Sequence, residues 1–129
     1  MALTQYQRGR AFEYRIIKDL QKRGFWCMRA AQSKGIVDVL GLSRGQILLV
    51  QAKISGALGP AERKELVELA TEVGGMPVLA ERSDGRTLSY WLVYLDTRRE
   101  PAPIPGYVDV PRAASAKVDA QVVLDQPTQ

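Results

Sequence analysis

The sequence predicts an α/β protein in which helices flank a central, mixed β-sheet, and three observations lead to this fold class. Apolar residues recur at helical spacing in the first quarter of the chain. Two apolar runs between residues 36 and 53 flank a Ser-Arg-Gly turn, the pattern of an antiparallel hairpin. Two later strand patterns follow a second helical segment, and a strand that is reached through a helix can pair in parallel.

The first helix is predicted over residues 4–23, where Thr4 can cap the start and Gly24 can end it. Glu13 is the exception on its apolar face, because a carboxylate occupies a position that should be buried. Residues 25–31 (FWCMRAA) then have the composition of a strand, and residues 31–35 form a short polar loop.

The hairpin places polar residues where a buried strand should have none. If Arg44 and Gly45 are the two central turn residues, paired residue numbers sum to 89, and Asp38 lies directly opposite Gln51 with the two Cβ atoms about 5 Å apart. A three-residue loop would shift this register by one residue and place the two side chains on opposite faces unless a bulge corrected it. Lys53 shares a strand face with Gln51.

The second helix is predicted from Pro60 to Val73, followed by strands at 76–80 and 88–95. Its glutamates at 62, 65, 68 and 72 follow helical spacing and are expected on a solvent-facing side. Prolines become frequent after Glu100, so we divide the chain into a core domain (1–99) and a C-terminal segment (100–129). Within that segment, residues 118–124 are an edge or dimer-interface strand, or a mobile tail.

Composition limits the classes of function. The 129 residues fit one compact domain, and no apolar run approaches the roughly 18 residues that span a bilayer, so we expect no membrane partner. The start has no signal-peptide pattern, and the single cysteine, Cys27, fits the reducing cytoplasm and a place in the core. The chain has no histidine, which excludes Ser-His and Cys-His catalytic pairs and histidine-ligated zinc.

Positive charge is concentrated at the N-terminus. The net charge is +4, but residues 1–34 carry eight basic and two acidic residues, so they hold +6 and the rest of the chain holds −2. This asymmetry favours a polyanionic partner, although a solvated helix face explains the charge equally well.

The hairpin residues and Glu13 together suggest a metal site. A carboxylate, an amide oxygen and an ammonium would meet at one end of the hairpin, and Glu13 can join them if its helix packs on the same sheet face. Oxygen ligands without histidine or thiolate favour Mg²⁺ or Mn²⁺, and we expect no organic cofactor. The alternative is a purely structural Asp38–Lys53 pair that closes the end of the sheet.

With these residues identified, the chain resembles the archaeal-type Holliday junction resolvases of the PD-(D/E)XK nuclease superfamily. The matching stretches are YQRGRAFE, RGFWCMRAAQSKGIVDV, QAK and the helix that runs into VGGMPVLA, and the likeness covers residues 1–95. The resemblance implies a restriction-endonuclease-like core and a homodimer. It also implies that a divalent metal supports paired nicks in two strands of a four-way DNA junction.

The resemblance also assigns roles to individual residues. It implies that the metal ligands are Glu13, Asp38, Gln51 and the main-chain carbonyl of Ala52, and that Lys53 is the signature lysine. Ser33 matches a loop serine near the scissile phosphate. A DNA-binding surface is assigned to four basic residues: Arg8, Arg10, Arg29 and Lys34.

Gln51 departs from the family pattern, which usually has Glu at this position. Its amide oxygen can still bind a cation, but one negative charge is missing, so we expect weaker metal binding, a preference for Mn²⁺, or one well-held ion rather than two. Three functions remain open: a junction resolvase, a related repair or restriction nuclease that acts on other DNA, and a junction-binding protein that Gln51 has made catalytically silent.

Overall fold

A computed structural model describes residues 2–30, 35–55 and 57–111. Ser33 and Lys34, which were assigned to phosphate and DNA contact, lie outside these described residues. So does the strand or tail expected at 118–124.

The described residues form a six-stranded mixed sheet and two helices, which confirms the predicted mixed sheet with flanking helices. The short sixth strand was not predicted. The helices are α1 (Gln5–Lys22) and α2 (Pro60–Val73). The strands are β1 (Trp26–Arg29), β2 (Val39–Ser43), β3 (Gln46–Lys53), β4 (Met76–Ser83), β5 (Thr87–Leu92) and β6 (Glu100–Pro101). They lie in sequence order, with β3 and β4 parallel and the other neighbouring pairs antiparallel.

Both helices begin and end where local chemistry dictates. Thr4 accepts a hydrogen bond from the amide of Gln7, and the Gln7 side chain accepts one from the amide of Thr4, a reciprocal cap that closes the start of α1. Pro60 opens α2, and Gly74 ends it with a left-handed φ of 72°. Neither helix of the described chain is long and apolar enough to cross a membrane.

The β2–β3 hairpin has the predicted register. Five facing pairs run from Val39↔Val50 to Ser43↔Gln46, and the residue numbers of each pair sum to 89. Gly45 has a φ of 71°, the left-handed conformation that a two-residue turn needs. The ladder ends at Val39, one residue short of Asp38.

The sheet separates two apolar clusters. On one face, α1 buries Phe12, Ile16, Ile17 and Leu20 against Cys27, Leu48 and Val50, which confirms the predicted core position of Cys27. On the other face, α2 buries Leu66 and Ala70 against Leu49 and Leu79. Because side chains alternate along a strand, the odd-numbered residues of β3 lie on the α2 face.

The start of the C-terminal segment packs on the core. β6 pairs with the end of β5, and the amide of Val108 donates a 2.8 Å hydrogen bond to the carbonyl of Lys22. Arg23 donates to the carbonyl of Pro105 at 3.1 Å. Residues 100–108 therefore run from the sheet edge to the end of α1. The predicted boundary at residue 99 stays a prediction.

Candidate active site

Asp38 lies where the hairpin ladder stops, beside the end of β3. Its amide donates to the carbonyl of Val50 at 2.8 Å, while its carbonyl accepts from the amide of Ala30 at 2.9 Å. In a regular strand, the amide and carbonyl of one residue point to the same neighbour, so the strand is irregular here. Asp38 and Val39 together oppose Val50, as in a β-bulge.

This irregularity corrects the expectation that Asp38 directly faces Gln51. Instead, Oδ2 of Asp38 accepts a 2.8 Å hydrogen bond from the amide of Ala52, the residue after Gln51. The carboxylate is thus fixed to the end of β3 by a main-chain group rather than by strand pairing. Asp38 therefore lies close to the end of β3, as predicted, but a hydrogen bond from Ala52 holds it there instead of strand pairing with Gln51.

Burial and charged neighbours shift the pKa of the Asp38 carboxyl. Burial is the main cause of a raised pKa for Asp38, and the negative charge of Glu62 raises it further. The hydrogen bond from Ala52 and the positive charge of Lys53 act in the opposite direction. Asp38, Lys53 and Glu62 are therefore close enough to interact.

Gln51 contributes a buried amide oxygen to the end of β3. Its Oε1 is buried and has no hydrogen-bond partner among the described residues. Leaving a buried acceptor unpaired costs about 1–3 kcal/mol. Gln51 shares the α2 face with Leu49 and Lys53 by strand alternation. An unpaired buried oxygen at this position is suited to accept a cation.

Lys53 is paired with a residue that the sequence did not single out. Its Nζ lies 3.1 Å from Oε2 of Glu62, at the start of α2. Glu65, Glu68 and Glu72 are exposed, as expected for a solvent-facing side. Glu62, which was expected there too, is only partly exposed, and its carboxylate turns to Lys53. Its position one turn inside a helix that begins at Pro60 was the available signal, because such a carboxylate can turn back to the helix start.

Glu13 approaches from the opposite side of the sheet. Its helix packs on the face opposite to Gln51 and Lys53, so the condition under which Glu13 would join them on one sheet face is not met. Burial, and after it the charge of Asp38, nevertheless raise the pKa of Glu13, while its hydrogen bond from Arg29 lowers it. The charges of Glu13 and Asp38 therefore influence each other although their elements pack on different parts of the sheet.

The predicted basic residues occupy different environments. Arg8 and Arg10 are exposed on the first turns of α1, and Arg15, Lys18 and Lys22 continue the exposed positive charge along the helix. Arg29 is only 7% exposed, and its Nη1 lies 3.3 Å from Oε1 of Glu13. Arg29 thus orients Glu13 in this structure. Its predicted contact with DNA stays a prediction and would require this pair to open.

The donor set fits a hard divalent cation. Among the described residues, no three carboxylate, thiol or imidazole side chains form a group that could hold a metal ion. A cation here would therefore depend on non-ionised donors, namely Oε1 of Gln51 and the carbonyl of Ala52, beside the carboxylates of Glu13 and Asp38. All of these are oxygen ligands, which Mg²⁺ and Mn²⁺ prefer.

Comparisons with known proteins show which family the chain resembles. The sequence profile described as "Archaeal holliday junction resolvase (hjc)" matches residues 4–102. The "Crossover junction endodeoxyribonuclease Hjc" of Methanocaldococcus jannaschii is 31% identical over 88 residues, which are 65% of each chain. The present chain therefore spans 65% of the length of this curated relative.

A solved structure supports the fold independently. The Hjc of Archaeoglobus fulgidus, "a Holliday junction resolvase from an archaeal hyperthermophile", matches with a TM-score of 0.57 at 21% identity. The match covers 64% of the present chain and 73% of that structure. The profile match over most of the chain confirms the resemblance seen in the sequence: the chain belongs to the archaeal Holliday junction resolvase (Hjc) family.

Proposed function

We propose that the protein is a structure-selective endodeoxyribonuclease that resolves four-way DNA junctions by paired, metal-dependent phosphodiester nicks. The observation that carries the proposal is the fixation of Asp38 to the end of β3, where the unpaired oxygen of Gln51 and the ammonium of Lys53 are also found. Membership of the Hjc family supports the same activity.

The residues divide the chemistry between them. Asp38, Gln51, the carbonyl of Ala52 and Glu13 would hold Mg²⁺ or Mn²⁺. When bound, the cation polarises a phosphoryl oxygen and lowers the pKa of a water. Lys53 would offset negative charge that grows on the phosphate and help to orient the attacking water. Arg29 holds Glu13 in place through their ion pair.

DNA binding would depend on phosphate contacts. The exposed basic residues Arg8 and Arg10 begin a positively charged face of α1. Such a face suits contacts with DNA phosphates, which recognise the shape of the DNA rather than its base sequence. Ser33 and Lys34, which precede Asp38 in the sequence, are proposed to contact phosphate as well. Binding by such contacts weakens steeply as salt is added.

A homodimer would supply the two active sites that paired nicks require. A candidate contact surface is an apolar depression beside the site, between β2, β3 and α2, and its proposed occupant is the same surface of a second copy. Its walls include Ile36, Leu40, Leu42, Ile47, Leu69 and Val73. Light scattering after gel filtration should give twice the 14.3 kDa mass of one chain. Leu69→Lys should reduce this mass to that of a monomer.

We further propose a cytoplasmic location, and neither a membrane nor an organic cofactor as partner.

Cleavage of labelled DNA tests the activity. A four-way junction and a linear duplex with the same arm sequence are incubated with the protein in Mg²⁺, in Mn²⁺ and in EDTA. Symmetric nicks in the junction alone, dependent on the metal, are the expected result. Cleavage of the duplex would instead indicate a repair or restriction nuclease. Tight junction binding without cleavage in either metal would indicate that Gln51 has made the protein a silent binder.

A further inference from the structure

Glu62 is held at the edge of the candidate active site by both oxygens of its carboxylate. Oε1 accepts a 3.0 Å hydrogen bond from the amide of Gly59, just before α2, and Oε2 lies 3.1 Å from Nζ of Lys53. The first contact fixes the side chain to the helix start, where a negative charge is favourable. The second fixes the lysine of the site.

The charges of the site show why this carboxylate matters. Glu13, Asp38 and Glu62 are the carboxylates that interact there, and Arg29 and Lys53 are the cations that pair with them. Three negative and two positive groups leave one net negative charge. Without Glu62 the same groups are neutral, because the amide of Gln51 contributes no charge.

We propose that Glu62 is a positioning residue that compensates for the missing charge of Gln51: it keeps the site net negative for a divalent cation and holds Lys53. This inference rests on the proposed metal-dependent function. The contact with Lys53 matters as well as the negative charge of Glu62. Without Glu62, Lys53 could pair with Asp38 and compete with the cation for that carboxylate.

Metal binding without DNA tests the proposal directly. Mn²⁺ is titrated into the metal-free 129-residue chain, and its dissociation constant is measured by calorimetry. Glu62→Gln keeps an oxygen that can accept from Gly59 but removes the charge. We expect its dissociation constant for Mn²⁺ to rise by about tenfold, the order expected for one unit charge near a partly buried cation.

A matched variant on the same helix controls for general effects of charge. Glu68 is exposed and pairs with Lys64 at 3.7 Å, so Glu68→Gln also removes a carboxylate from a lysine pair, but away from the site. It should change Mn²⁺ affinity less than twofold. Equal thermal unfolding of wild type and Glu62→Gln would show that the helix start is intact.

A second substitution separates charge compensation from a structural role. Gln51→Glu added to Glu62→Gln should restore affinity to within about threefold of wild type, which a loss of helix capping would not allow. Wild-type affinity in Glu62→Gln, or no recovery in the double variant, would overturn the proposal. With either of these two outcomes, the proposed nuclease site would still stand if Asp38→Asn abolished Mn²⁺ binding. Absence of Mn²⁺ binding by the wild type would overturn both.

Discussion

The main-chain amide of Ala52 donates a 2.8 Å hydrogen bond to Oδ2 of Asp38. This bond joins a carboxylate outside the β2 ladder to the end of β3, the strand that carries Gln51 and Lys53. Because the donor is a backbone group, the position of Asp38 depends on an acceptor atom and not on its negative charge. The structural and chemical roles of Asp38 can therefore be separated by substitution.

Asp38→Asn should abolish cleavage and yet stabilise the metal-free fold at neutral pH. Burial raises the pKa of Asp38, so the ionised side chain costs folding free energy above that pKa, and the cost disappears below the ordinary pKa of an aspartate. Asparagine removes the charge and can still accept from Ala52. In EDTA, calorimetry should show a higher Tm than wild type at pH 7 and a shrinking difference as the pH falls.

The alanine variant is the natural contrast. Asp38→Ala also removes the charge, but it leaves the amide of Ala52 without its acceptor, which costs about 1–3 kcal/mol. It should therefore unfold at a lower temperature than Asp38→Asn. If the asparagine variant were no more stable than wild type at pH 7, burial would not be the dominant influence on Asp38. Both variants should reduce the cleavage rate by at least about a thousandfold, since the metal contributes several kcal/mol.

Gln51→Met should leave the fold as stable as wild type, or make it more stable by about 1 kcal/mol, while weakening Mn²⁺ binding. The substitution replaces an unpaired buried oxygen by an apolar group of similar volume, which removes a cost of folding. Urea unfolding and calorimetric titration measure the two effects.

Gln46→Met on the same strand is the control. The Gln46 amide nitrogen does donate a hydrogen bond, 3.3 Å to the carbonyl of Pro103, so this variant should lose a little stability and keep its metal affinity. A marked loss of stability in Gln51→Met would show that Oε1 has a partner in solution and is not reserved for a cation.

Arg29→Met should destabilise the protein by about 2 kcal/mol, because it leaves the half-buried Glu13 without its partner. The guanidinium also lies 5.1 Å from the ring centre of Tyr14. Adding Glu13→Gln should recover part of the loss in urea unfolding, whereas Arg10→Met, on the exposed start of α1, should cost less than about 0.5 kcal/mol. Full additivity of the Arg29 and Glu13 substitutions would argue against a contributing pair.

The sequence predicted what local rules determine. The register of β2 and β3 follows from two turn residues, and the ends of α1 and α2 follow from Thr4, Pro60 and Gly74, all within a few residues of the feature they explain. The mixed sheet followed from the element order, because a helix separates β3 from β4.

What the sequence did not predict depends on contacts between distant elements. The irregularity at Asp38 is recognisable from two main-chain hydrogen bonds: its carbonyl accepts from Ala30, just after β1, and its amide donates to Val50 in β3. The burial of Arg29 depends on how α1 lies against β1. The pair between Glu62 and Lys53 likewise depends on where α2 begins relative to the end of β3, and helical spacing alone does not fix this.

The C-terminal segment offers a last prediction, which concerns pH. Asp19 on α1 accepts hydrogen bonds from the hydroxyls of Tyr90 at 2.6 Å and Tyr107 at 2.5 Å, and from Nε of Arg23 at 3.0 Å. Burial alone would raise the pKa of Asp19, but these donors together hold it below its usual range. A lowered pKa stabilises the fold above the ordinary pKa of aspartate, and this stabilisation is lost as the pH falls to the lowered value.

Asp19→Asn should therefore cost about 1–2 kcal/mol at pH 7, where charged hydrogen bonds are replaced by neutral ones, and progressively less in acid. Urea unfolding between pH 2.5 and 7 measures the difference. Asp84→Asn is the matched control, because Asp84 is exposed in a turn at a φ of 51°, which asparagine also tolerates. A constant difference between Asp19→Asn and wild type over this range would show that the loss comes from geometry and not from the charge of Asp19.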